Sequence, residues 1–484
     1  MTEKTKNWLF YAAVGVIILL GVVLRILFYS YARPFWNDES ALALNIINRS
    51  ITGLFTPLHY QQAAPVLFSV LCKFCVFLPA AKEYTLRLPA FIFGLLSVPA
   101  FFVLCCKVLK KNVSKIFALL LFCLNFQLVY YSQELKQYSA DVFLFISVLL
   151  TYFYFDCEKS KKAALSALSV FLSLCIWFSY SAVFAVFIVL VLLFFKYKKR
   201  MLPFAVAPFC SIAALGLYTI RLQKDIYLHN FWADGFIAKD FSNFNTILNN
   251  NLVFFFPDFA GKFFVLLLFF AGLFYLLKSV IKKHDSQQSL LLLLPFVCAI
   301  ALSYFSIYPM YLRTMLYLFP IAILVMAKSF DCFSFKNKIL NYLLGGFIFL
   351  HFFVCTFKTD FNLIFLKNYY LESTPDLLKT FEQKSDKNDI LIVPYLTKIN
   401  YEMYKNTTTL DESRVLLVQT ALYEPVEIAH AFDTLPKGRT YYILFTHSGD
   451  KPAEYKNLCA YAKKQRNAEI LSDKNLNALI RFDS

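Results

Sequence analysis

The sequence predicts a polytopic α-helical membrane protein that ends in a small α/β domain outside the bilayer. Three observations predict it: the composition, a series of long apolar stretches, and the position of the charge. Of the 484 residues 59% are hydrophobic and 16% are charged, against roughly 45–50% and 25% in a soluble domain. Phe alone occurs 56 times. A water-soluble core cannot hide that much apolar surface, whereas a bilayer solvates it.

Apolar stretches long enough to cross about 30 Å of hydrocarbon fall at 8–30, 86–106, 116–132, 138–155, 163–178, 180–195, 202–220, 263–281, 289–306, 312–328 and 339–357, giving about 11 spans. The run 163–195 is too long for one helix and is divided at Ser179-Tyr180-Ser181, where polar residues interrupt it. The segment Ala63–Pro79 is apolar but short and is bracketed by Pro65 and Pro79. It reads as an interfacial or re-entrant helix on the outer side.

The net charge of +17 invites a nucleic-acid reading, but its location argues against one. From Lys358 to Ser484 there are 17 Lys and Arg against 17 Asp and Glu, so the whole surplus lies in the apolar region. With Lys4 and Lys6 in the cytoplasm, every second loop is basic. Those loops hold Lys107, Lys110, Lys111 and Lys115; Lys159, Lys161 and Lys162; Lys196, Lys198, Lys199 and Arg200; Lys282 and Lys283; and Lys336 and Lys338. This is the positive-inside pattern, with the first span a signal-anchor. The opposite loops carry acidic, amide, aromatic and a few basic residues and look like a working surface. The domains expected are 1–357 in the membrane and 358–484 outside it. In the latter, 389–394 and 441–446 read as buried strands, with helices near 374–384 and 452–465.

Most of the 12 cysteines lie in apolar spans. Cys72 and Cys75 have redox spacing but read as small core residues, and Cys459 has no partner for a bridge within the tail. The sequence carries no strong metal motif, and a divalent cation is the one cofactor left open.

Three loops carry residues suited to chemistry. In Pro34-Phe35-Trp36-Asn37-Asp38-Glu39-Ser40 two adjacent carboxylates follow the outer end of the first span. A carboxylate there can act as a general base on a hydroxyl; equally, Asp38 or Ser40 can cap a helix starting near Ala41. In Tyr131-Ser132-Gln133-Glu134-Leu135-Lys136-Gln137-Tyr138, with Asp141 following, a helix from residue 134 would place Glu134, Tyr138 and Asp141 on one face. Asp141 would then sit about one turn below the surface, where a carboxylate implies a function or a buried partner. Lys136 can instead snorkel at the interface. Arg313 in Tyr308-Pro309-Met310-Tyr311-Leu312-Arg313, and Arg87 in Leu86-Arg87-Leu88-Pro89, are cations on the disfavoured side of the membrane. Each suits a lipid phosphate or simple snorkelling.

Taken in order, these segments resemble the GT-C glycosyltransferases of the dolichyl-phosphate-mannose–protein mannosyltransferase type, in their bacterial branch. Asn37-Asp38-Glu39 is similar to that family's Asp-Glu pair in the first external loop. His59-Tyr60-Gln61-Gln62-Ala63-Ala64-Pro65 resembles a degraded His-x-Pro-Pro-Leu segment. Glu83-Tyr84-Thr85-Leu86-Arg87-Leu88-Pro89 through Gly94 resembles Phe-Ala-Leu-Arg-Leu-Pro-Ser. The stretch Tyr131–Tyr138 is close to Tyr-Ser-Gln-Glu-Ala-Arg-x-Tyr, with Lys136 where Arg is usual. Tyr311–Pro320 is similar to Arg-Tyr-Leu-Leu-Pro, and Lys437–His447 resembles the soluble domain of some members.

The resemblance implies an inverting transferase that uses a polyprenyl-phosphate sugar donor and a lipid, glycan or protein acceptor. It implies Asp38 as base, with Glu39 in support. Lys136 and Arg313, and then Arg87, would meet the lipid phosphate, and Gln133, Glu134, Tyr138, Asp141 and His59 would line the pocket. The implied place is the outer face of a bacterial plasma membrane, with the C-terminal domain on the same side. A transferase, ligase or polymerase using a diphosphate-linked glycan is the alternative of the same class. A transporter should keep ionisable groups at the bilayer midplane and show repeats. The sequence shows no repeat, and its polar groups cluster at one face. A sugar-binding scaffold would leave Asp38 and Glu39 without a task.

Overall fold

The computed structural model describes residues 2–222, 230–255, 259–332, 372–419, 433–446, 452–464, 466–474 and 477–484, with isolated positions 346, 350, 354, 427 and 430. The chain forms two compact units. A helical unit comprises Met1–Tyr31, Leu54–Pro57 and Ala63–Phe365, and a second unit comprises Ala32–Gly53, Leu58–Gln62 and Leu366–Ser484. The part of the first inter-span loop that holds Asp38 and Glu39, Ala32–Gly53, therefore packs with the C-terminal segment.

In the helical unit every stretch expected from 8–30 to 312–328 falls on a helix. These are Glu3–Ser30, Leu88–Val108, the pair Asn112–Leu124 and Phe126–Tyr130, Tyr138–Tyr154, Lys162–Phe178, Ala182–Tyr197, Leu202–Leu222, Phe259–Ile281, Ser286–Tyr304, and the 3-10 turn Leu312–Leu318 leading into Phe319–Cys332. The stretch 339–357 lies outside the described residues apart from positions 346, 350 and 354. Glu3–Ser30, Lys82–Val108, Phe263–Ile281, Ser286–Tyr304 and Leu312–Asp331 are each long and apolar enough to cross a membrane. This is a multi-pass membrane protein. The stretch 116–132 differs from expectation: Asn112–Leu124 and Phe126–Gln133 meet at a 53° bend. Asn125 leaves the helical conformation, and its side chain accepts the N–H groups of Gln127 and Leu128, so one helix stops and another starts.

The helix Val66–Cys75 has ten residues. At 1.5 Å per residue that is about 15 Å, half the hydrocarbon thickness, as expected for a segment that does not cross. The division at Ser179 is present too. Ser179 is extended (φ −153°, ψ 120°) and ends Lys162–Phe178, and Ala182–Tyr197 follows. Cys72 is fully buried within its helix.

In the second unit the expected strands are β1 (Ile390–Val393) and β3 (Thr440–Phe445), and the expected helices are Thr374–Lys384 and Pro452–Ala462. Three further strands complete the sheet: β2 (Val415–Leu417), β4 (Arg466–Lys474) and β5 (Asn477–Asp483), in the order β2-β1-β3-β5-β4. β1 pairs in parallel with β2 and β3, whereas β5 pairs antiparallel with β3 and β4. β1 and β3 are central, so they read as continuous apolar runs. β4 is a polar, bulged edge strand, which a pattern search passes over. One face of the sheet buries Tyr441, Ile443, Phe445, Ile480 and Phe482 against Tyr455, Leu458 and Cys459.

Candidate active site

The helical unit contributes the segment Tyr131–Lys136. After the bend, Phe126–Tyr130 tightens into a 3-10 turn, Tyr131–Gln133, and Glu134 is extended (φ −101°, ψ 137°). The next helix starts only at Tyr138. The face expected for Glu134, Tyr138 and Asp141 is thus corrected: Tyr138 and Asp141 share a helix turn, and Glu134 precedes it. Gln133, Glu134 and Lys136 are all buried, with Lys136 at 5% exposure. Lys136 is therefore enclosed by protein and does not snorkel. The turn sits hard against Leu88–Val108, where a Cβ on Gly94 would lie 2.4 Å from that of Ser132. Ser139 donates to the Ala90 carbonyl at 2.7 Å, one turn before Gly94 in the same helix.

Arg313 stands on the 3-10 turn Leu312–Leu318. Its guanidinium lies 6.0 Å from the Tyr138 ring centroid and 5.8 Å from that of Trp232. Cations in this range of an aromatic face are attracted to it. Trp232 meets Tyr311 edge-on at 5.7 Å. The loop carrying Trp232 is stitched to the segment before Arg313, since Met310 N–H donates to the Gly235 carbonyl at 2.7 Å. Asn251 Nδ2 donates to the Met310 carbonyl at 3.1 Å. The phenol of Tyr131 is within electrostatic reach of both Glu134 and Arg313 and packs edge-on against Tyr138 at 5.1 Å. Arg313, Tyr138, Tyr131 and Glu134 are thus brought together. Trp232 was missed by sequence reasoning, although a Trp in a polar loop between spans was a visible cue.

Asp141 is buried, and its carboxylate accepts from the Ser179 hydroxyl at 2.5 Å, which in turn lies 3.0 Å from that of Ser181. Its buried partner is thus the hydroxyl pair at the helix break. Arg87 is 1% exposed and occupies the residue before Leu88–Val108, so it too is enclosed rather than snorkelling.

Asp38, Glu39 and His59 lie in the second unit. The helix starts at Asn37, four residues earlier than expected, and the cap position is Trp36, with no side-chain cap hydrogen bond. Neither Asp38 nor Ser40 is the cap expected of it. Glu39 is fully buried and pairs with Arg33 at 3.2 Å, itself 4% exposed. Asp38, next to it, is only half-buried. The start of this helix is further held by Asn37 N–H donating to Glu372 Oε1 at 3.0 Å. Phe35 N–H donates to the Tyr404 hydroxyl at 2.7 Å. His59 is exposed, and its backbone is clamped by Asn45, which accepts its N–H at 2.8 Å and donates to its carbonyl at 3.0 Å. Among the described residues no group of three or more His, Cys, Asp or Glu is placed to hold a metal ion. His447 lies outside the described residues.

No family model matches the sequence, and no curated protein matches it. Solved structures do. The chain aligns over 99% of its length with 98% of ArnT from Cupriavidus metallidurans bound to undecaprenyl phosphate, at 13% identity and a TM-score of 0.54. It aligns over 94% of its length with 72% of the apo oligosaccharyltransferase of Archaeoglobus fulgidus, at 12% identity and a TM-score of 0.59. A third match is AglB of the same organism in complex with an inhibitory peptide and a dolichol-phosphate, at 12% identity and a TM-score of 0.56, covering 97% of this chain and 74% of that one.

The chain has the GT-C fold. The GT-C fold accounts for an architecture that composition alone leaves open: a helical membrane body, long loops between spans, and a small sheet unit after it. The fold is what these likenesses establish; the mannosyltransferase branch named by the sequence motifs is a finer assignment.

Proposed function

We propose that this chain is an inverting glycosyltransferase that moves a sugar from a polyprenyl-phosphate donor to a lipid, glycan or protein acceptor at the outer face of a bacterial plasma membrane. The observation that carries the reading is Arg313, framed by Tyr138 and Trp232 beside the buried Glu134–Lys136 stretch. It occurs in a fold whose solved examples hold undecaprenyl phosphate and dolichol-phosphate. A guanidinium and a buried ammonium suit a phosphate monoester. In this reading residues 1–357 are the catalytic membrane domain, and 358–484 are a soluble domain on the periplasmic or extracellular side.

The chemistry follows from the residue types. Asp38 takes the proton of the acceptor hydroxyl as its oxygen attacks the anomeric carbon. The bond from that carbon to the phosphate oxygen breaks on the opposite face, which inverts the centre. Polyprenyl phosphate leaves with the bonding electrons, its charge met by Lys136 and Arg313. Such preorganised cations act where charge develops in the transition state. Glu39, bound to Arg33, orients the helix turn that presents Asp38. Trp232 and Tyr311 offer aromatic surface for a sugar ring.

In a second reading, favoured by the likeness to solved oligosaccharyltransferases, the chain moves a whole glycan, here from a diphosphate-linked donor. Lipid and glycan profiling of a deletion strain separates the two. Accumulation of a polyprenyl-monophosphate sugar together with one missing envelope decoration is the expected result. Accumulation of a diphosphate-linked glycan favours the second reading, and unchanged lipids and glycans would overturn both.

A further inference from the structure

The helix Asn112–Leu124 is buried at every position from Phe117 to Leu124. Charged side chains from two other helices grip its two ends. At its N-terminal end the Asp331 carboxylate accepts the N–H groups of Lys110 at 3.0 Å and Lys111 at 2.9 Å, and the Ser114 hydroxyl at 2.7 Å. Lys328 lies 3.6 Å from the same carboxylate and donates to the Val108 carbonyl at 2.6 Å.

At the C-terminal end stands Arg25, which sequence reasoning passed over as part of an apolar span. It is fully buried. Its Nη1 donates to the Cys123 carbonyl at 3.1 Å and to the Gly21 carbonyl at 2.8 Å, and its guanidinium lies 6.0 Å from the Phe122 ring. The approach requires Gly21, where a Cβ would stand 2.7 Å from that of Cys123. An anion at the first turn and a cation at the last complement the helix dipole. A guanidinium enclosed in a membrane-crossing helix is expensive and marks a function.

The two elements that carry the phosphate-binding cations are tied to this one strut. Beyond Leu124 the chain bends at Asn125 and runs through Phe126–Gln133 to Lys136. Asp331 ends the element that begins beside Arg313, Leu312–Asp331. We propose that Arg25 and Asp331 are positioning residues which, by clamping the two ends of Asn112–Leu124, set the placement of Lys136 relative to Arg313 at the donor phosphate. This rests on the reading of Lys136 and Arg313 as the phosphate site.

The test measures the affinity of the full-length protein in nanodiscs for undecaprenyl phosphate, per folded molecule, alongside thermal unfolding. Arg25→Met keeps an unbranched apolar stem and removes the donor. It should weaken binding about tenfold, the scale of one impaired charged hydrogen bond. Arg25→Lys, which can still donate to the Cys123 carbonyl, should recover most of the loss. Asp331→Asn should weaken binding in the same direction, and it carries the test with Arg25→Lys if Arg25→Met does not fold. A helix clamp with no bearing on the site would lower the unfolding temperature and leave affinity unmoved, which overturns the proposal. Arg313→Ala and Lys136→Ala run in parallel separate the two claims. Unchanged binding in both Arg313→Ala and Lys136→Ala overturns the phosphate reading and this inference with it. Weakened binding in either, with Arg25→Met and Asp331→Asn unchanged, overturns this inference alone.

Discussion

Replacing Asp38 by Asn and Glu39 by Gln should separate turnover from stability, because the fold gives these adjacent carboxylates different surroundings. Asp38 is half-buried, within the first turn of its helix and not at the cap. Asn keeps its shape and most of its hydrogen bonding and abolishes its basicity. Turnover should fall by about two to four decades, the range of general-base catalysis, with donor binding and unfolding temperature nearly unchanged. Glu39 is fully buried, 3.2 Å from an Arg33 that is 4% exposed. Gln there leaves a buried guanidinium facing a neutral amide. Breaking a buried pair from one side costs about 3–5 kcal/mol, roughly two to four decades in the folding equilibrium. Thermal unfolding of the purified variants, followed by tryptophan fluorescence, should therefore show an early transition for Glu39→Gln. The double variant Arg33→Met with Glu39→Gln should recover most of the loss, since a buried pair is often replaced by neutral groups at little cost. Full turnover in Asp38→Asn, with turnover lost and stability kept in Glu39→Gln, would give the base to Glu39. Full activity in both single variants would refute the catalytic reading of this loop.

Four shorter expectations follow from the same geometry. Arg313→Ala should weaken undecaprenyl-phosphate binding by one to two decades, the worth of a charged hydrogen bond at about 1.5–3 kcal/mol; unchanged affinity in both Arg313→Ala and Lys136→Ala would move the phosphate to Arg87. Gly94→Ala should destabilise the helical unit by about 1–3 kcal/mol through overpacking, given the 2.4 Å approach to Ser132, and Ser132→Gly should relieve part of it in an unfolding scan. In the C-terminal unit the Thr409 hydroxyl and N–H hold the Glu382 carboxyl below its usual range, and the Ser413 N–H and hydroxyl do the same for Asp411. Carboxyls depressed in the folded state contribute stability above their unfolded pKa and lose it as pH falls through the folded one, so unfolding temperature should be level above about pH 5 and drop below about pH 4, less steeply in Thr409→Val. A reporter active only outside the cytoplasm should give signal when fused after Ser484 and none after Lys199; the reverse would place the C-terminal unit inside.

The sequence by itself determined what one-dimensional chemistry can encode. Apolar runs located the helices, because burying backbone in hydrocarbon leaves few alternatives to a helix. Ser179-Tyr180-Ser181 located a break, because hydroxyls compete for backbone hydrogen bonds. The apolar runs at β1 and β3 located the two central strands, and the ordered motifs pointed to the GT-C fold. The tertiary structure decided everything that depends on partners distant in the chain. It sorted the adjacent Asp38 and Glu39 into a half-buried group and a buried ion pair with Arg33. It took Glu134 off the helix face shared by Tyr138 and Asp141, because a 3-10 turn followed by an extended residue intervenes. It brought Trp232 to Arg313 across some eighty positions. It also turned Arg25, one cation in an apolar run, into the cap of a helix a hundred residues away. The physical reason is common to all four: a charge or an aromatic ring declares its chemistry in the sequence, but its energy depends on what surrounds it, and only the folded chain supplies the surroundings.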